Sequence, residues 1–179
     1  MKPTDQPILT TDRLILRPFE DADAAAVQEL AGAREIAAMI PNIPHPYPDG
    51  AAEAWIATVK ERLKRYAITL KEDARLIGSI TLDMACEHDH AQLGFWIGVP
   101  YWGEGYATEA AREVVRAGFE VWGLHRIYAQ YFGTNPASAR VLAKVGFQEE
   151  GLMRQHVKHW DQYQDIHLCA ILRDEHRHG

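Results

Sequence analysis

Tyr101-Trp102-Gly103-Glu104-Gly105-Tyr106-Ala107-Thr108-Glu109-Ala110 sets two glycines one residue apart between an apolar, strand-like run and a helix striped with Ala107, Ala110, Ala111, Val114 and Gly118. Glycine lets backbone amides come close to a ligand. The first turn of a helix adds unpaired N–H groups at the positive end of its dipole, so this junction suits a phosphate. Taken alone, Gly-x-Gly equally describes a turn that only reverses the chain. A Walker loop would end in Gly-Lys-Ser/Thr, and a dinucleotide fingerprint would carry a third glycine at Thr108. Nucleoside triphosphates and nicotinamide cofactors therefore lose support.

Upstream of the turn, Tyr66–Leu70, Leu76–Met84 and Ala91–Val99 read as an antiparallel meander broken by charged turns. Before them, Ala52, Trp55, Ile56, Val59, Leu63 and Tyr66 fall at three- and four-residue steps, a helix with Glu53, Lys60, Glu61 and Lys64 on its other face. The stretch Pro41–Gly50 carries four of the nine prolines and must be a loop. Near the start, Leu14, Leu16 and Pro18 alternate with Arg13, Ile15 and Arg17 as a strand, and Asp21 or Asp23 can cap a helix over Ala24–Ala31. Downstream, Arg126–Phe132 is a strand that the intervening helix can bring parallel to Ala91–Val99. Asn135-Pro136 then starts a second helix, with Val141, Leu142 and Val145 buried, and Gly146 stops it. Two strands, Phe147–Lys158 and Tyr163–Leu172, flank a turn at His159–Gln162. The order β-α-α-β-β-β-α-β-α-β-β predicts an α+β fold with a mixed sheet.

The chain has 179 residues, 47% hydrophobic and 25% charged, which suits a single domain over 1–179. Nineteen basic and 25 acidic residues give a net charge of −6, so no overall basic field draws it to nucleic acid or anionic lipid. Protonating all nine histidines would turn −6 into +3. Cys86 and Cys169 lack metal-ligand spacing and read as buried thiols, so no metal is expected. The opening Met1–Pro7 has no apolar core of a signal peptide, and no run reaches the roughly 18 apolar residues of a membrane span. A cytoplasmic protein without a membrane partner is the expectation.

About thirty residues beyond the glycine turn comes Asn135-Pro136-Ala137-Ser138-Ala139-Arg140-Val141-Leu142-Ala143-Lys144-Val145-Gly146-Phe147, after a strand. With Thr11-Asp12-Arg13-Leu14-Ile15-Leu16-Arg17-Pro18 and Leu93-Gly94-Phe95-Trp96-Ile97 ahead of the turn, the chain resembles the GNAT acyltransferase superfamily, most closely its ribosomal-protein N-terminal acetyltransferase-like (Rim-type) branch. The resemblance implies a three-layer fold, a mostly antiparallel sheet with one splayed parallel pair, and acetyl-CoA as cosubstrate. Pantetheine amides would fill the splay as a surrogate strand, with Ile97 in contact. The pyrophosphate would rest on Gly103, Glu104, Gly105, Tyr106, Ala107 and Thr108. Trp102 stands where the family usually has Arg or Gln, a variant common in the Rim-like branch, which removes a side-chain phosphate contact and leaves the backbone cradle. Asn135 would bond the pantetheine arm or simply cap its helix. Lys144 reads more simply as a solvated helix residue than as a nucleotide contact.

The resemblance implies direct attack of an amine on the thioester, with no acyl-enzyme. Ser138 matches a serine proton donor of Rim-type members and equally suits a helix start. Relatives carry Glu where Gln92 stands, and some carry Glu at Val157; neither replacement accepts a proton. An α-amine of pKa near ~8 must lose its proton, so His45 and His156 are the candidate bases, although strand parity turns His156 away from Val157. A water relayed by Gln92, or capture of the neutral amine, would dispense with a base. On the acceptor side the resemblance selects His45, Tyr47, Gln92, Arg154, Trp160 and Asp165. Arg154 and Asp165 equally suit a cross-strand ion pair, and Trp160 a turn aromatic or a homodimer contact. The acceptor is a primary amine, a protein N-terminus or a small amine of antibiotic or polyamine type; a non-catalytic CoA-binding module is the remaining reading.

Overall fold

The computed structural model describes residues 6–60, 64–85 and 88–176; Glu61, Leu63, Cys86, His178 and the opening stretch 1–5 lie outside them. Its sheet is built from β1 (Leu9–Thr10), β2 (Leu14–Arg17), β3 (Arg65–Leu70), β4 (Leu76–Ala85), β5 (His90–Ile97), β6 (Arg126–Phe132), β7 (Gln148–His159) and β8 (Gln162–Leu172). Their order across the sheet is β1-β2-β3-β4-β5-β6-β8-β7. Neighbours are antiparallel except β5 and β6. The helices are α1 (Ala24–Ala31), α2 (Arg34–Ala37), α3 (Ala51–Lys60), α4 (Tyr106–Glu120), α5 (Pro136–Val145) and α6 (Arg173–His176).

Alternation along the strands feeds two cores. Ile80, Leu82, Ala91, Leu93 and Ile127 meet Ala110, Ala111 and Val114 of α4 on one face. Ala67 and Leu76 meet Val27, Leu30, Ile56 and Val59 of α1 and α3 on the other. This is the expected three-layer arrangement. The small stripe of α4 allows the close approach read from the sequence, since a Cβ on Gly118 would lie 2.7 Å from Ile127 Cδ1.

β5 and β6 pair from His90↔Arg126 to Leu93↔Ala129 and then part. β5 runs on to Ile97 against β4, and β6 to Phe132 against β8. The edges of Gly94–Ile97 and Gln130–Phe132 that face each other are therefore left without a strand partner, the splay the resemblance implies.

Three expectations are corrected. Tyr66 is in β3 rather than in the helix before it. Tyr66 satisfies a helical step and a strand alternation alike, and pairing with Ile80 decides between them. Asp23 precedes α1, but its carboxylate makes no side-chain cap; it accepts two bonds from Arg17 at 2.7 Å and one from the Glu20 amide at 2.8 Å. The ion pair outcompetes the cap because both partners are charged. The third strand of the meander ends at Ile97, where a 3-10 turn over Val99–Tyr101 begins. Among the described residues no helix is long and apolar enough to cross a membrane.

Candidate functional site

Past the splay, β5 leads through the 3-10 turn into the glycine loop. Gly103 and Gly105 both have left-handed backbones, φ +86° and +83°, and Gly105 is the N-cap of α4. A Cβ on Gly103 would meet nothing within 4 Å, so the loop is open on that side at the helix start. Its free amides fit an anion, and the unpaired strand edges fit an extended chain of amides. Trp102 folds back so that its Nε1–H donates to the Ile97 carbonyl at 2.6 Å. This satisfies the last carbonyl of β5 and leaves the indole half exposed.

A brace that the sequence reading did not assign holds this loop. Glu109, in the first turn of α4, accepts from the Thr11 hydroxyl at 2.6 Å, the Arg13 amide at 2.9 Å and Arg13 Nε at 2.8 Å. Arg13 Nη2 pairs with the same carboxylate at 2.7 Å and donates to the Glu104 carbonyl at 3.0 Å. Its guanidinium also lies over the Tyr106 ring, 4.4 Å from the centroid. The residues are more than ninety positions apart, and only their place in two quoted motifs hinted at a shared role. Burial pushes the Glu109 carboxyl up, but its bonds to Thr11 and Arg13 outweigh this and hold it below its ordinary value of 4.5. A carboxylate with a lowered folded pKa stabilises above its unfolded pKa and loses that contribution as pH falls through the folded value. The thermal-stability gap between wild type and Glu109→Gln is thus expected to be full at pH 7 and to narrow as pH falls below 4.5. Melting curves across that range test it; a gap independent of pH would remove the charge from the brace.

At the start of α5, Asn135 Oδ1 accepts from the Ser138 amide at 3.0 Å. The cap is real, worth about 1 kcal/mol, and leaves the Asn135 NH2 to donate elsewhere. It also fixes Ser138, half-buried, in the first turn. The Lys144 carbonyl accepts from Arg112 Nη2 at 3.0 Å, tying α5 to α4.

The β7–β8 turn reaches α2. The buried His159 donates through Nε2 to the Ala37 carbonyl at 3.0 Å and lies 5.5 Å from the Phe132 ring at the end of the splayed β6. Trp160 stacks on His159 at 5.0 Å, with the Arg34 guanidinium 5.2 Å over its ring and His45 5.9 Å away. His45 and Trp160 are thus brought together from the proline loop and the hairpin tip. His45 Nδ1 faces the Gly32 carbonyl at 3.2 Å; a carbonyl only accepts, so Nδ1 carries a hydrogen and donates it. A cleft of about 300 Å³ between α2 and Trp102 is lined by Arg34, Glu35, Ala38, Met39 and Trp102.

The other residues expected on the acceptor side are placed differently. Tyr47 packs against the α1–α3 core, and its carbonyl accepts from Gln28. The Arg154–Asp165 ion pair is not formed: Asp165 Oδ1 accepts the Gln155 amide at 2.7 Å. The reason is a bulge. Met153 faces Ile166 and Val157 faces Gln164, so Arg154, Gln155 and His156 oppose Asp165 alone, and Gln155 turns left-handed at φ +50°. Arg154 and His156 are exposed within that bulge. Gln92, at the last-but-one rung before the splay, accepts from the Tyr128 hydroxyl at 3.4 Å. Burial pushes the Cys169 thiol up to about 11, making it an inert core thiol. Among the described residues no group of three or more His, Cys, Asp or Glu could hold a metal ion.

The sequence profile described as "Acetyltransferase (GNAT) domain" matches residues 13–148. The chain is 34% identical to the uncharacterized N-acetyltransferase YoaA of Bacillus subtilis strain 168 over 173 residues, 93% of this chain and 97% of that protein. It is 29% identical to the [ribosomal protein uS5]-alanine N-acetyltransferase of Escherichia coli K12, covering 91% of this chain and 89% of that one. Among solved structures, a GNAT-family acetyltransferase from Bacillus anthracis superposes with a TM-score of 0.87 at 26% identity, covering 94% of this chain and 99% of the other.

Proposed function

The chain belongs to the GNAT acetyltransferase family, and from that premise we propose that it moves the acetyl group of acetyl-CoA to a primary amine, the α-amino end of a protein, by direct attack. The observation that carries the reading is the parting of β5 from β6 beyond Leu93 and Ala129 beside the glycine loop at the start of α4. Unpaired strand edges are costly unless something pairs with them, and acetyl-CoA supplies both an amide chain for the splay and a pyrophosphate for the loop. The acceptor assignment is supported by likeness to a ribosomal-protein alanine acetyltransferase along nearly the whole chain.

In this reading the amides of Gly103–Thr108 hold the pyrophosphate, and Ile97 and the Asn135 NH2 contact the pantetheine arm. The amine enters between α2, the proline loop and the β7–β8 turn, with His45 Nε2 taking its proton. Strand amides of β5 steady the negative charge that develops on the thioester oxygen. The Ser138 hydroxyl protonates the departing thiolate and recovers a proton from the second one that the nitrogen sheds as the intermediate collapses to the amide, so the serine ends the cycle neutral. His45 is preferred to His156 because its Nδ1–H is held on the Gly32 carbonyl and its ring adjoins Trp160.

Incubation with acetyl-CoA and panels of peptides and small amines, read by mass spectrometry, tests the reading. Acetylation of peptide N-termini is expected. Acetylation confined to polyamines or aminoglycosides would move the acceptor to the small-amine class, and no binding heat with acetyl-CoA well above micromolar would remove the cosubstrate. Ser138→Ala and His45→Gln are each expected to lower kcat by about 10- to 100-fold with acetyl-CoA affinity near wild type. An affinity loss matching the rate loss would make either one a binding residue.

A further inference from the structure

We infer that Arg13 is a positioning residue for the cofactor loop: it pins the Glu104–Gly105 peptide in the one orientation that aims the Gly105 amide at the pyrophosphate. This rests on the reading that Gly103–Thr108 holds that group. A trans peptide is planar, and its C=O and N–H point to opposite sides. Holding the Glu104 carbonyl against Arg13 Nη2 at 3.0 Å therefore sends the Gly105 N–H the other way. Without the pin the peptide would be free to flip, because a flip changes ψ of Glu104 and φ of Gly105, and glycine tolerates left- and right-handed backbones alike.

Arg13 is itself fixed at every donor the clamp uses. Its amide and Nε bond to the two oxygens of Glu109, and its carbonyl accepts the Lys71 amide at 2.9 Å. Glu109 closes the ring from the other side, since its own amide donates to the Gly105 carbonyl at 3.0 Å. Both peptides flanking Gly105 are thus anchored, one through the Arg13 side chain and the other through the α4 backbone. The planar guanidinium can serve the Glu109 carboxylate and the Glu104 carbonyl together; an ammonium has no such fork.

The test is the affinity for CoA by calorimetry, with the Gly105 amide followed by 15N–1H spectra. In the wild type, CoA is expected to bind and to move the Gly105 amide resonance downfield. Arg13→Gln is expected to bind CoA about tenfold more weakly with that movement reduced. Arg13→Lys keeps a cation for Glu109, and so the fold, yet is expected to recover only part of the affinity; it carries the test if Arg13→Gln does not fold. Wild-type affinity and an unchanged Gly105 shift in the variants would overturn the inference and leave the function standing. Full recovery by Arg13→Lys would also overturn it, by making charge the cause. No CoA binding by the wild type would instead sink the cofactor reading itself.

Discussion

Gly78→Ala is expected to lower stability by at least about 3 kcal/mol, a fall in Tm of roughly 6–12 °C for a chain of this size. A Cβ at that position would lie 2.3 Å from the Trp96 carbonyl oxygen and 3.1 Å from Ile97 Cα. Both are backbone atoms of β5, so no side-chain rotation relieves the clash. Gly78 sits opposite Ile97 where Ile77 bulges out of the β3–β4 ladder. Any relief moves the stretch of β5 that forms one wall of the splay, so CoA affinity should fall along with stability. Gly94→Ala, on the same ladder, meets only Thr81 Cγ2 at 3.2 Å, a methyl able to give, and should cost about 1 kcal/mol or less. Urea unfolding of the two variants decides: equal losses would show that the backbone approach at Gly78 is not what matters.

The second large effect is on binding. Gly103→Val is expected to weaken CoA by about 100-fold, roughly 2.7 kcal/mol, while the fold loses only the ~1–2 kcal/mol of a left-handed non-glycine residue. Gly103 stands at φ +86° with nothing within 4 Å of a would-be Cβ, so the valine side chain enters the open space at the loop rather than the core. Gly123 offers a control, since it has φ +71° in the loop between α4 and β6, away from the cradle. Gly123→Val should carry the same backbone strain and leave CoA affinity alone. Calorimetry on both variants separates strain from obstruction; equal affinities for CoA would place the pyrophosphate elsewhere.

Most of the fold is legible in the sequence where local chemistry marks an end. Helix α5 is bounded by Asn135-Pro136 and Gly146, and the structure keeps those bounds because the cap oxygen and the left-handed stop at φ +106° are local requirements. The bounds read for α1, Ala24–Ala31, and for β6, Arg126–Phe132, are kept as well, although α1 has neither a side-chain cap nor a left-handed stop. Tyr66 shows the limit. Its spacing fits two periods, and only the ladder with β4 selects the strand. β1, α2 and α6 have four residues or fewer and carry no period to read. Yet α2 proves to be tied to the β7–β8 hairpin, since the His159 bond to Ala37 joins residues 122 positions apart.

The candidate site divides along the same line. The glycine turn, the Asn135 cap, Ser138 and the family itself follow from sequence alone, because backbone sign, helix-end donors and motif order are properties of adjacent residues. The parting of β5 from β6, the three-residue bulge that uses Asp165 for the Gln155 amide, the His45–Trp160 contact and the Arg13–Glu109 clamp are decided by tertiary structure. Each depends on strand register or on the docking of distant segments. A one-residue slip in pairing would change every one of those partners without altering a single local signal.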